Sequence, residues 1–174
     1  RGFFSALTLP TVLPRYAHFV IACPAMTGLL LVWLFRRRST AQLAGTGFTR
    51  DELLRTGYRW ALWPTMAQFV VGPLALFTLP ATPLVDPAIL GVFGASILLA
   101  RWMCLVLYVE TNRAAERIGK SFASVCALMV AVLVLMGAGR HLHREAAIAP
   151  HRELVRQKTE DYVRRTGEAA RASL

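Results

Sequence analysis

Four apolar stretches, each close to the roughly 20 helical residues that cross a hydrocarbon layer of about 30 Å, set the limits on what this chain can become. They run from Leu13 to Phe35, Tyr58 to Leu79, Ala88 to Val109 and Ser121 to Arg140. Lipid offers no water to backbone N–H and C=O groups, so each stretch must close its hydrogen bonds on itself, as a helix does. The expected fold is all-α, an integral membrane bundle of four transmembrane helices over residues 1–149, followed by a charged C-terminal tail over 150–174. In that tail Leu154, Val155, Tyr162 and Val163 are too sparse to hold a lone helix. It is expected to lie along the membrane surface or dock on a partner, where its Ala, Glu and Arg content permits helix.

Prolines punctuate the spans. Pro10, Pro80, Pro83 and Pro87 fit helix ends or the second connection, whereas Pro24, Pro64 and Pro73 fall inside spans and predict kinks. With 55% hydrophobic and 17% charged residues the chain is not an ordinary soluble domain. Its net charge of +10 would suggest nucleic acid in a soluble protein, but here the cations gather beside the spans. Lipid headgroups and topology account for them, and no nucleic-acid partner is expected. The connection from Arg36 to Arg59 carries six arginines, that from Glu110 to Lys120 carries Arg113, Arg117 and Lys120, and the turn from Ala81 to Pro87 carries none. By the positive-inside rule the first and third connections are cytoplasmic, which puts both termini on the outer face of an inner (cytoplasmic) membrane. Trp33, Tyr58, Trp60 and Trp63 read as an aromatic belt on the cytoplasmic side. The tail is also basic and argues the other way, with less weight because long terminal segments follow the rule poorly. Cys23, Cys104 and Cys126 sit in apolar stretches without any metal-binding or haem-attachment spacing, and read as small hydrophobes. Arg1 in place of an initiating methionine predicts a processed or incomplete start, and no signal peptide is apparent.

One ionisable group stands about a turn inside the first span. Such groups are costly in hydrocarbon, which makes His18 the first functional candidate. At helical spacing it shares a stripe with Ala22 and Ala25, which leave room for a flat ligand, and with Arg15 one turn outward. A nitrogen ligand, space for a porphyrin and a cation for its propionates suit haem. The plainer alternative is an interfacial histidine hydrogen-bonded to a neighbouring helix. In the orientation above, the outer end of the fourth span reaches the same depth. There Met136, Arg140 and His143 share one stripe and His141 stacks over Gly137 on another, so the two histidines cannot both face the bundle. His141 is the first choice for a second metal ligand and Met136 the next, with Arg140 beside them as a propionate partner. Thr65, Gln68 and Gly72 form a polar stripe expected to face the bundle. Gln68 reads as helix–helix glue before it reads as a contact to quinone or haem. Arg101 is expected to snorkel to the headgroups, with Glu110 as the alternative partner. Gly91, Gly94, Ala95 and Ser96 would permit close helix contact.

The run Pro14-Arg15-Tyr16-Ala17-His18-Phe19-Val20, a basic connection, and Arg55-Thr56-Gly57-Tyr58-Arg59-Trp60 opening the next span resemble the helix pair of subunit I of cytochrome bd-type quinol oxidases. The resemblance covers the first two spans, under half of the chain. It implies that His18 corresponds to the family's low-spin haem histidine. The chain has four spans where the family's subunit has more, and matches neither its quinol-binding loop nor the acidic residues used in oxygen reduction. What the resemblance therefore implies is electron transfer through a b-type haem rather than oxygen chemistry.

The expected function is an integral membrane subunit that binds haem b and exchanges electrons with quinone or an outer-face redox partner. It would act among other subunits of a respiratory or photosynthetic complex, as part of an oxidoreductase without independent activity. The alternative is a cofactor-free structural or assembly subunit that contacts the lipid bilayer and docks its tail on a larger complex. A transporter is disfavoured, because no inverted repeat or broken helix pair is evident.

Overall fold

The computed structural model describes residues 12–43, 47–78 and 86–172, together with 2, 5 and 9. Within them the chain forms α1 (Val12–Phe35), a short α2 (Thr40–Leu43), α3 (Arg50–Phe77), α4 (Pro87–Asn112) and α5 (Phe122–Ala172), with no strand among the described residues. Helices α1, α3, α4 and α5 are each long and apolar enough to cross a membrane. The chain is a multi-pass, all-helical membrane protein. Pro10, Pro80, Pro83 and the expected end of the second span at Leu79 lie outside the described residues.

Local chemistry sets the helix ends. Thr49 and Glu52 form a capping box, with Thr49 N–H donating to Glu52 Oε2 at 2.8 Å and Glu52 N–H to Thr49 Oγ1 at 3.4 Å. This starts α3 at Arg50, two turns before the apolar stretch. Asp86 accepts from Ala88 N–H at 2.8 Å and Pro87 follows at the first helical position, which starts α4. Pro24, Pro64 and Pro73 all lie inside helices that continue past them.

The helix of the fourth span continues past Arg140. Helix α5 runs for 51 residues, through Pro150, to Ala172. Helix-forming Ala, Glu and Arg carry it outward. Side-chain pairs join Arg152 to Glu145 (2.5 Å), Arg156 to Glu153 and Glu160 (2.6 Å each) and Arg164 to Asp161 (3.0 Å). Residues 151–168 are all exposed, so this extension does not pack on the bundle.

Helix α1 packs along α3, α4 along α5, and α3 against α4, while α1 barely meets α5. The tightest seam joins α1 to α3. A Cβ on Gly28 would collide with the Gly57 carbonyl and stand 2.6 Å from the Ala61 nitrogen. Only glycine permits that approach. Beside it Val32, Leu54, Tyr58 and Ala61 are fully buried, with Leu107 of α4 and Val125 of α5 completing the core. The core thus lies toward the arginine-rich end.

That end is tied by its own polar groups. Glu110, fully buried, pairs with Arg113 and accepts from Gly119 N–H at 2.6 Å and Ser121 N–H at 3.2 Å. The carboxylate is thereby satisfied, and it fixes the connection into α5. Arg50 donates to the Arg36 carbonyl at 2.6 Å, Arg55 to the Thr111 carbonyl at 2.9 Å, and the Arg36 guanidinium lies 4.5 Å from the centre of the Phe122 ring. Several arginines of this end are therefore structural ties as well as charges. Arg101 is exposed and Glu110 is held by Arg113, which leaves snorkelling as the arrangement open to Arg101.

Candidate functional site

His18 lies on the second turn of α1, at the end of the bundle opposite the arginine-rich connections. It continues the packed stripe of Ala25, Leu29 and Val32 outward by helical steps. On the antiparallel face of α3 the steps from Ala61 are Thr65, Gln68 and Gly72, so the last two arrive opposite His18.

The contacts are specific. Gln68 Nε2 donates to the His18 carbonyl at 2.7 Å. Thr65, deeper in the seam, returns its hydroxyl to the Ala61 carbonyl at 2.7 Å. The imidazole lies over Gly72, where an added Cβ would stand 3.8 Å from Cε1 and 4.0 Å from Nδ1. His18 Nδ1 and Gln68 Oε1 are both buried, and neither has a hydrogen-bond partner. They belong to neighbouring side chains, since the Gln68 amide acts directly on the imidazole, and the Arg140 charge reaches it from α5.

Two adjacent orphans of this kind have a chemical reading. A neutral imidazole carries one N–H and one bare nitrogen, and the proton's position is set by the acceptor that it finds. Placed on Nδ1, the proton would have the Gln68 amide oxygen as its neighbouring acceptor. Nε2 is then left with its lone pair free. Metal-bound histidines are held in this way, the second nitrogen donating to an outer acceptor that fixes tautomer and ring orientation. Among the described residues no group of three or more His, Cys, Asp or Glu side chains converges to hold a metal ion. A group that supplies its own further ligands, such as haem, would need only the one imidazole from this set.

No protein-family model, curated protein or solved structure matches this chain. The case for a function rests on the site itself.

His18, Gln68 and Gly72 come together, while Arg140 stays exposed on α5 and reaches the imidazole only through its charge. Arg15 is exposed one turn farther out on α1, without a contact to the site. On α5 the stripe that packs on α4 runs through Val125, Met129, Gly139 and His143, and a Cβ added to Gly139 would stand 3.0 Å from the Phe93 ring. That rotation buries His143, leaves Met136 half-buried and turns His141 outward. The two histidines do occupy different faces, and the one on the packed face is His143. Around Gly137 nothing lies within 4 Å of an added Cβ, so the space beneath His141 opens outward.

Tyr58 departs from its expected place. It is fully buried with its hydroxyl unpartnered, so the belt at that end consists of the exposed Trp33, Trp60 and Trp63. Of the small residues on α4, Ser96 is buried and donates to the Val132 carbonyl at 3.4 Å, while a Cβ added to Gly91 or Gly94 would meet nothing within 4 Å. The Gly28–Gly57 seam and the Glu110 tie are the two features that sequence reasoning passed over. A glycine in each of two neighbouring spans signals the first, and Glu110 three residues before Arg113 signals the second.

Proposed function

We propose that the chain is a membrane subunit that binds haem b through His18 and passes electrons between the quinone pool and a redox partner on the face to which His18 lies nearest. The observation that carries this reading is the pair of buried, unpartnered atoms, His18 Nδ1 and Gln68 Oε1, side by side within a span. An unpaired polar atom in a low-dielectric interior is costly, and a metal on Nε2 gives the pairing of the other two atoms a purpose. Bound there, haem would supply reversible one-electron chemistry. The chain's own residues would hold the imidazole through Gln68, seat it against Gly72, and set the Arg140 charge toward carboxylate. His141 and Met136 are the α5 groups to test as the second ligand, His141 requiring a neighbouring surface to cover it and Met136 already half-buried.

A second reading, a cofactor-free structural subunit, is favoured by the Gln68–His18 carbonyl bond, since a polar bond between spans is also ordinary helix–helix glue. One experiment separates the two. The protein is purified in mild detergent, its reduced-minus-oxidised visible spectrum recorded and its haem extracted as the pyridine haemochrome. A b-type spectrum is the expected result; a spectrum without haem from the intact parent complex selects the structural reading.

A further inference from the structure

Away from the His18 site, the outer face of α3 carries an open groove of about 500 Å³ lined by Thr56, Arg59, Trp60, Trp63 and Pro64. Their spacing is that of one helical face, i, i+3, i+4, i+7 and i+8. It is the face opposite Leu54, Tyr58, Ala61 and Leu62, which point into the core. Trp60 is 53% and Trp63 65% exposed. We propose that this groove is a binding site for an anionic phospholipid of the phosphatidylglycerol class, with the headgroup phosphate on Arg59 and an acyl chain along Trp63.

Three observations carry it. Arg59 makes no hydrogen bond or ion pair with any described residue, whereas Arg36, Arg50, Arg55 and Arg113 nearby all have protein partners. A cation left open in the groove itself, beside neighbours already engaged, is available to a phosphate. The level is right, because Arg59 stands where the capped, polar start of α3 passes into its apolar stretch, and Trp side chains prefer that interface. The charge is right, since the connection from Arg36 to Arg59 sets six arginines against Asp51 and Glu52 alone, and anionic lipid is drawn to such a surface.

The test uses tryptophan fluorescence. The full chain carrying Trp33→Phe and Trp102→Phe keeps Trp60 and Trp63 as its reporters. It is reconstituted in phosphatidylcholine vesicles containing a minor fraction of either brominated phosphatidylglycerol or brominated phosphatidylcholine. With one arginine favouring the anionic lipid, the apparent association of brominated phosphatidylglycerol is expected to exceed that of its zwitterionic counterpart about five-fold. Arg59→Gln should bring the ratio to one without loss of the thermal transition, because the side chain points away from the core. Equal quenching by the two lipids in the Arg59 protein overturns the proposal on its own. So does a preference that survives Arg59→Gln, and so does absence of quenching by both, which would mean that another protein surface covers the groove.

Discussion

At the scale of single residues, the site consists of one imidazole and the amide that addresses it. Gln68 bonds the His18 carbonyl with one end and presents an unpartnered oxygen toward Nδ1 with the other. It is therefore a positioning residue in the haem reading and simple glue in the structural one. Replacing it with methionine keeps bulk and removes both the bond and the oxygen beside the imidazole. Outer-sphere partners of metal-bound histidines typically contribute about 10–100-fold in affinity, so Gln68→Met should weaken haem retention by about that factor and shift the midpoint potential. Titration of the apoprotein with haem, together with a redox titration, reads both. Loss of thermal stability with unchanged haem affinity and potential would assign Gln68 to packing alone. His18 was legible in the sequence because an ionisable group in a span is conspicuous. The burial of its Nδ1 against Gly72 was not, because that depends on how α3 is rotated, which the weakly amphipathic apolar sequence leaves open.

At the scale of elements, the α1–α3 seam depends on two facing glycines. Gly28→Ala forces a methyl group against the backbone of Gly57 and Ala61, which cannot retreat as a flexible side chain would. Overpacking of this kind costs about 1–3 kcal/mol, and the thermal midpoint in detergent should fall accordingly. An unchanged midpoint would mean that the helices separate without cost. Helix α5 makes the contrasting case. Its membrane half is packed and its outer half is exposed, held by surface ion pairs that solvent and salt screen. Amides of residues 151–168 should exchange with deuterium far faster than those of 122–140, with Pro150 near the boundary, in hydrogen-exchange mass spectrometry of the reconstituted protein. Equal protection would show that the extension docks on something. The sequence reading stopped this helix at Arg140 because it asked where apolar residues end, and propensity and ion pairing extend a helix past that point. The early start of α3 was open to the same reading, since Thr49 and Glu52 have capping-box spacing in the sequence itself.

At the scale of the whole molecule, an even number of spans puts the start of α1 and the outer half of α5 on one side, and the arginine-rich connections on the other. The span count, the all-helical class and the polar stripe of α3 facing α1 were legible because lipid imposes them residue by residue. Helix rotation was not legible, which is why His143 and not His141 lies on the packed face of α5 and Tyr58 is a core residue. The charge bias predicts that the arginine-rich connections face the cytoplasm. In a protein with Cys23, Cys104 and Cys126 replaced by alanine, a cysteine at Ala115 should resist an impermeant thiol reagent added to intact cells, and one at Gly167 should react. The reverse pattern would place His18 near the cytoplasmic face and move the redox partner there. The central claim, that His18 holds a haem, is tested most directly by the haem-to-protein ratio of the His18→Ala protein beside that of the parent, each purified identically and checked for helix content by circular dichroism. The account predicts a full-length, helical variant that has lost one b-type haem per chain; an unchanged ratio and spectrum in the variant would contradict it.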